Sequence, residues 1–247
     1  MSEHVIVTEA NKILTVQLNR PEKRNALTQA MYATMTQALQ DANARDDIAA
    51  VVFTGAGDLF CAGNDLGDFL RHGELKPDSP VFQFLQTIST VDVTVVAAVQ
   101  GAAVGIGTTL LLHCDLVYAA EGAKFVMPFV DMGLVPEAAS SQLLPALCGH
   151  LKAAELLLLA ETIDAQKAYE FNMVNKVVPA TELAATVADV SARLAAKPVR
   201  SLRLSKKLMK VQPEAVPDRI QRELKDFLKV LASAETQQII AAKAQRK

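Results

Sequence analysis

The sequence predicts a single α/β unit that ends in a run of helices, and three observations carry that reading. Short apolar segments recur between helical periodicities, and two of them run straight into glycine-rich turns. The 247 residues are 51% hydrophobic and 21% charged, enough for one substantial core, with no long Pro/Gly/Ser-rich linker to part it into two. Beyond Pro136 the alternation gives way to helix upon helix. The expected division is a core over residues 1–196 and a helical region over 197–247.

Residues 5–9 and 13–18 (VIVTE, ILTVQL) are β-branched runs on either side of Ala10–Asn11–Lys12 and read as a hairpin. Thr28 is placed to cap a helix running to about Asn43, with Met31, Met35, Ala38, Leu39 and Ala42 on one face. Ala49–Thr54 reads as a buried strand; it leads into GAGDLFCAGND, a polar stretch and a helix near 80–90. The pattern recurs as a strand at 94–99, the turn GAAVGIG, a short helix at 107–113 and a strand at 115–119. Such alternation implies parallel crossovers. Helices are then expected at roughly 137–147, 150–160, 164–171, 181–196, 198–211 and 214–231, with one strand at 175–178.

A net charge of −2 points to no nucleic-acid partner. The charge is uneven: residues 197–247 hold 13 Lys+Arg against 5 Asp+Glu, net +8, and the rest is −10. Lys206, Lys207, Lys210, Arg219 and Arg222 are either solvated helix faces or attractors of an anionic ligand. The stripes Leu202, Leu208, Val211 and Ile220, Leu224, Phe227, Leu228, Leu231 need cover, from the chain's own core or from a neighbouring subunit. Cys61, Cys114 and Cys148 lack a CxxC spacing and read as packing residues of a reduced, cytoplasmic protein. The start MSEHVIVTEANK has no basic-then-apolar leader, and no apolar run approaches the roughly 20 residues of a membrane span, so no membrane association is expected. His4, His72, His113 and His150 show no metal-ligand spacing, and His113 reads as a core histidine. Ser140 and Ser141 lack a G-x-S-x-G setting.

The chemistry lies in the turns. FCAGNDL (60–66) and GAAVGIGTTLLL (101–112) each follow a buried strand, where α/β proteins place ligands. Gly105–Ile106–Gly107 falls where a helix begins and backbone N–H groups lack partners, and a pair of such groups makes an oxyanion hole. The glycine order is G-x-x-x-G-x-G rather than the dinucleotide G-x-G-x-x-G. MGLVPEAASSQLLP (132–145) sets Glu137 at the expected start of a helix, as a first-turn acid favoured by the dipole or as a proton-transfer group. If Phe129, Met132 and Leu134 face it, they raise its pKa and strengthen it as a base.

NRPEKRNAL (19–27), the FCAGNDL turn, AAVQGAAVGIG (97–107) with CDLVYA (114–119), and the helical end together resemble the crotonase superfamily, the enoyl-CoA hydratase/isomerase family, over essentially the whole chain. The resemblance implies a spiral of ββα turns closed by a helical C-terminal region, assembled as homotrimers or dimers of trimers. It implies an acyl-CoA thioester whose carbonyl oxygen is held by the N–H groups of Ala62 and Ile106. The two glutamates of the hydratases fall on Thr109 and Phe129, so hydration is expected to be feeble and truncation of Thr109 to leave most of the rate intact. GNDL (63–66), VGIGTTLLL (104–112) and VPEAASS (135–141) are most similar to the peroxisomal-type Δ3,Δ2-enoyl-CoA isomerases and their bacterial relatives, which puts the catalytic acid on Glu137. Arg24, Ala26, Asp65, Leu66, Gly105, Phe129 and Leu134 would line the substrate path, with Lys23 and Arg24 either meeting the CoA phosphates or standing as exposed loop charges. The implied activity converts 3-enoyl-CoA to trans-2-enoyl-CoA with no metal or redox cofactor, coenzyme A being part of the substrate. A hydratase or other crotonase reaction, and a non-catalytic acyl-CoA-binding protein, are the alternatives.

Overall fold

In the computed structural model, which describes residues 2–71, 76–210, 216–232 and 234–245, β1 (Val5–Ala10) and β2 (Ile13–Leu18) form the hairpin. Asn11 and Lys12 both take positive φ, 53° and 66°, the geometry a two-residue loop needs to match the twist of its strands. His72, Val211 and the side chains of Leu208, Arg219 and Arg222 lie outside the described residues.

From β2 the large sheet grows by parallel pairing through β3 (Ala50–Gly55), β4 (Thr94–Val99), β6 (Leu116–Ala120) and β9 (Lys176–Val178), in the order β1-β2-β3-β4-β6-β9. Every residue of β4, TVVAAV, is buried, as a central parallel strand covered on both faces must be. A second sheet of β5 (Ala102–Val104), β7 (Lys124–Val126) and β8 (Ile163–Asp164) stands beside it. Single parallel bridges, Cys61 to Ala103 and Leu27 to Asn64, carry this sheet onto the first glycine turn. Each repeat thus gives one strand to the large sheet, one segment to the small sheet and then a helix, which is the expected crotonase-like spiral of ββα turns.

The helices follow from their stripes. In α1 (Gln29–Ala44), Met31, Met35 and Leu39 are fully buried, and the Thr28 hydroxyl accepts the Met31 N–H at 3.3 Å. It packs on α3 (Pro80–Thr90), which follows the short α2 (Leu66–Arg71). The helix after the second glycine turn, α4, spans only Ile106–Thr109 and continues as a 3₁₀ turn over Leu110–His113. The helix expected from residue 137 starts later: α5 covers Ser140–Cys148, so Glu137 lies outside it. Ala138 and Ala139 take left-handed conformations, φ 55° and 57°, and these delay the helix.

Beyond α6 (His150–Leu158), α7 (Ala165–Glu170) and α8 (Leu183–Ala195) come α9 (Val199–Met209), α10 (Val216–Leu231) and α11 (Ala234–Ala244), the last lying in the expected helical region but past the final helix placed there from sequence. Ile220, Leu224, Phe227 and Leu231 are buried in the chain's own core, α10 lying on α3. Lys206 is not on a solvated face: it is 2% exposed, and its ammonium reaches the Asp115 carboxylate at 2.8 Å and the Val93 carbonyl at 2.7 Å. Burial, followed by repulsion from Lys206, brings the neighbouring Lys210 down to about 8. Among the described residues no helix is long and apolar enough to cross a membrane.

Candidate active site

The loop before α1 fixes the first glycine turn. Asn25 is fully buried with φ 56°; its amide donates to the Ala56 and Leu59 carbonyls at 2.9 and 2.8 Å while its oxygen accepts the Arg20 N–H at 2.9 Å. Arg24, also left-handed, presents a carbonyl that accepts the Ala62 N–H at 3.0 Å. Ala62 is therefore not the available donor. The Leu27 N–H bonds to the Gly63 carbonyl at 2.8 Å and the Leu27 carbonyl accepts the Asp65 N–H at 2.9 Å. Because main-chain groups alternate sides along an extended segment, the N–H of Asn64, between those two partners, turns away from Leu27. It has no acceptor among the described residues, and Asn64 lines a cavity together with Gly105 and Ile106. The N–H left available in this turn is that of Asn64, two residues beyond the one expected.

In the second turn Gly105 has φ 55° and ψ −118°, a conformation that side-chain-bearing residues avoid. Its N–H is taken by the Val126 carbonyl at 2.8 Å, and its own carbonyl accepts the Thr108 and Thr109 N–H groups at 2.9 Å. Ile106 opens α4, so its N–H has no preceding turn to bond. A side chain at Gly107 would place Cβ 2.8 Å from the Cys61 oxygen, so its absence lets the two turns close on each other. Ile106, expected as a donor, thus stands beside Asn64.

Glu137 is 9% exposed. The Thr109 hydroxyl donates to its Oε1 at 2.5 Å, so the residue expected to be dispensable engages the carboxylate directly. The Ser140 N–H and hydroxyl hold the Glu137 carbonyl at 3.0 and 2.6 Å. His113 meets the Ala138 carbonyl through Nε2 at 2.8 Å. Burial pulls His113 down to about 4 against the opposing effect of that bond, so at neutral pH the ring is uncharged and Nε2–H is the donor.

A narrow pocket of about 20 Å³ lies against Glu137, walled by Phe82 and Leu85 of α3 and by Ile220 and Leu224 of α10. Asn64, Phe69 and Phe227 line both this pocket and a larger cavity of about 230 Å³. Phe129, Met132 and Leu134, expected around the carboxylate, line this second cavity instead, with Gly105, Ile106 and, from α11, Ile240 and Lys243. Leu66 joins it to a polar groove of about 600 Å³ bearing Arg20, Lys23, Arg24, Ala26, Asp65 and Arg71. Arg20 pairs with Asp65 at 2.7 Å. Burial pulls the Asp65 carboxyl upward, but the Asp68 N–H and Arg20 outweigh it and hold the group below its ordinary range. The residues expected along the substrate path line one or other of these two spaces, the cavity and the groove, which share Leu66.

The thiols of Cys61 and Cys114 are pushed up to about 12 by burial and stay protonated, which suits packing rather than nucleophilic attack. Among the described residues no three His, Cys, Asp or Glu side chains gather in a metal-ligating group.

Residues 8–246 match the family model described as enoyl-CoA hydratase/isomerase. Enoyl-CoA delta isomerase 2 of Rattus norvegicus is 37% identical over 215 residues, which is 85% of this chain and 55% of that protein, so the chain spans about half the length of this relative. The 1,2-epoxyphenylacetyl-CoA isomerase of Escherichia coli is 35% identical over 215 residues, 83% of this chain and 81% of that one. A solved enoyl-CoA hydratase/isomerase from Pseudoalteromonas atlantica superposes with a TM-score of 0.94 at 39% identity, covering 99% of this chain and 98% of its own.

Proposed function

The chain is an enzyme of the enoyl-CoA hydratase/isomerase family, and from that premise we propose that it moves the double bond of a 3-enoyl-CoA to the trans-2 position. The observation that carries this reading is the buried carboxylate of Glu137, which lines a pocket with Asn64, whose available main-chain N–H lies in a cavity shared with Ile106. Relatives of nearly equal identity bear names for different reactions, so the choice rests on the site.

The steps follow from the groups present. With the thioester oxygen between the two N–H donors, the C2–H bond is weakened because the charge it releases collects on that oxygen. Glu137 takes the C2 proton and a dienolate forms. The same carboxylic acid returns the proton to C4, leaving the double bond between C2 and C3. One proton leaves and one arrives; no water, electron or cofactor is consumed, and coenzyme A remains part of the substrate. Each well-aimed donor is worth on the order of 10²–10³ in rate.

Hydration by the family's two-carboxylate route would need acids where Thr109 and Phe129 stand, and the Thr109 hydroxyl is already committed to Glu137. The groove with Arg20, Lys23, Arg24 and Arg71 suits the phosphates of the CoA moiety, and the apolar cavity suits the thioester arm and acyl chain. Incubation with 3-hexenoyl-CoA and separately with crotonyl-CoA, with products resolved by mass, tests the proposal. Isomerisation leaves the first substrate's mass unchanged while its double bond becomes conjugated; vigorous addition of water to the second would refute the reading.

A further inference from the structure

Tyr32 lies outside both glycine turns, yet it touches one half of the site and lies in the field of the other. It sits in α1, 1% exposed, its ring 5.5 Å from that of Phe84. A phenol hydroxyl so deeply buried is costly unless it is bonded, and this one donates to Asn64 Oδ1 at 2.5 Å. Burial, then the charge of Glu137, raise its pKa well above the ordinary value, so it remains a donor throughout the physiological range.

Asparagine side chains compete for nearby backbone N–H groups in turns of this kind. An uncommitted Oδ1 on Asn64 could swing toward the main-chain N–H groups of its own turn, including the available one. The Tyr32 hydroxyl occupies that oxygen. Resting on the acyl-CoA site proposed above, we infer that Tyr32 is a positioning residue: by engaging Asn64 Oδ1 it keeps the Asn64 main-chain N–H aimed at the thioester carbonyl. Phenylalanine would fill the same space against Phe84 but leave Oδ1 to compete.

The test is Tyr32→Phe, made in the parent chain and in Asn64→Ala, which keeps the backbone donor but removes the competing oxygen. Two readouts are needed: kcat and KM on 3-hexenoyl-CoA, and the infrared carbonyl band of bound, unreactive [1-¹³C]hexanoyl-CoA, which moves to lower frequency as hydrogen bonds polarise it. In the parent, Tyr32→Phe should lower kcat about tenfold with KM within about twofold, and lessen the band's downshift. In Asn64→Ala the same change should cost nothing on either readout. An unchanged kcat and band in the parent background, or an equal loss in both backgrounds, overturns the inference, the latter meaning that the hydroxyl acts on Glu137 or the substrate. If the parent polarises the carbonyl yet does not isomerise, the isomerase reading fails while the band still decides the role of Tyr32. No bound hexanoyl-CoA overturns both.

Discussion

The donor half of the site is held by main chain and the base half by side chains. Asn64 is aimed by bonds between Leu27 and its two sequence neighbours, and Ile106 by the turn that Gly105 opens. Glu137 depends on Thr109 for its carboxylate, on Ser140 for its carbonyl and on His113 for the carbonyl that follows. Beyond Tyr32 and Asn25, the donor half should therefore tolerate side-chain changes and fail where a Cβ intrudes. The base half should weaken by degrees, one hydrogen bond at a time.

The largest effect expected is that of Glu137→Gln, which keeps size but removes the base: isomerisation should fall by about 10² or more while acyl-CoA binding persists, as steady-state kinetics and titration would read. Near-full activity would place the base elsewhere and erase the comparison. Next is Gly107→Ala, whose Cβ would press on Cys61 and part the two donor turns. We expect roughly a thirtyfold loss in kcat and about 1–3 kcal/mol of stability, measured by urea unfolding.

Thr109→Val keeps shape and deletes the hydroxyl that holds Oε1; kcat should drop about tenfold with little change in melting temperature. The smallest effect on turnover is expected at His113, which acts instead on the slope of stability with pH. His113 titrates near 4 in the folded chain against an ordinary 6.5, so the unfolded chain binds more protons between those values. Stability fully present above pH 6.5 is lost as pH falls toward 4, by about 3 kcal/mol from this group. His113→Asn should flatten that dependence between pH 7 and 5.

The sequence alone pointed to both halves of the proposed site but misjudged details that only pairing decides. The glycine turns announced the donors because main-chain chemistry leaves its mark as missing side chains. Which N–H in FCAGNDL is available depends on the left-handed Arg24 carbonyl and on the Leu27–Asn64 bridge, contacts some 37 residues apart that no local pattern encodes. β5, β7 and β8 have only three, three and two residues, too short for any alternation to show. Glu137 was found by its place after Pro136, but its release from α5 follows from two alanines held left-handed, conformations that alanine does not advertise. Thr109 did leave a signal: a hydroxyl on an apolar helix face must find a buried partner.

The chamber is roofed by residues that come late in the chain. Phe227, Ile240 and Lys243 complete the larger cavity, and Ile220 and Leu224 close the pocket against Glu137. A ribosome releases the chain from its N-terminus, so Asn64, Ile106, Thr109 and Glu137 emerge roughly 80 to 180 residues before that roof does. During synthesis the apolar lining of the future chamber therefore faces water with nothing of its own to cover it. Until α10 and α11 arrive, that lining lacks the cover they give it, and transiently exposed apolar surface of this kind favours aggregation.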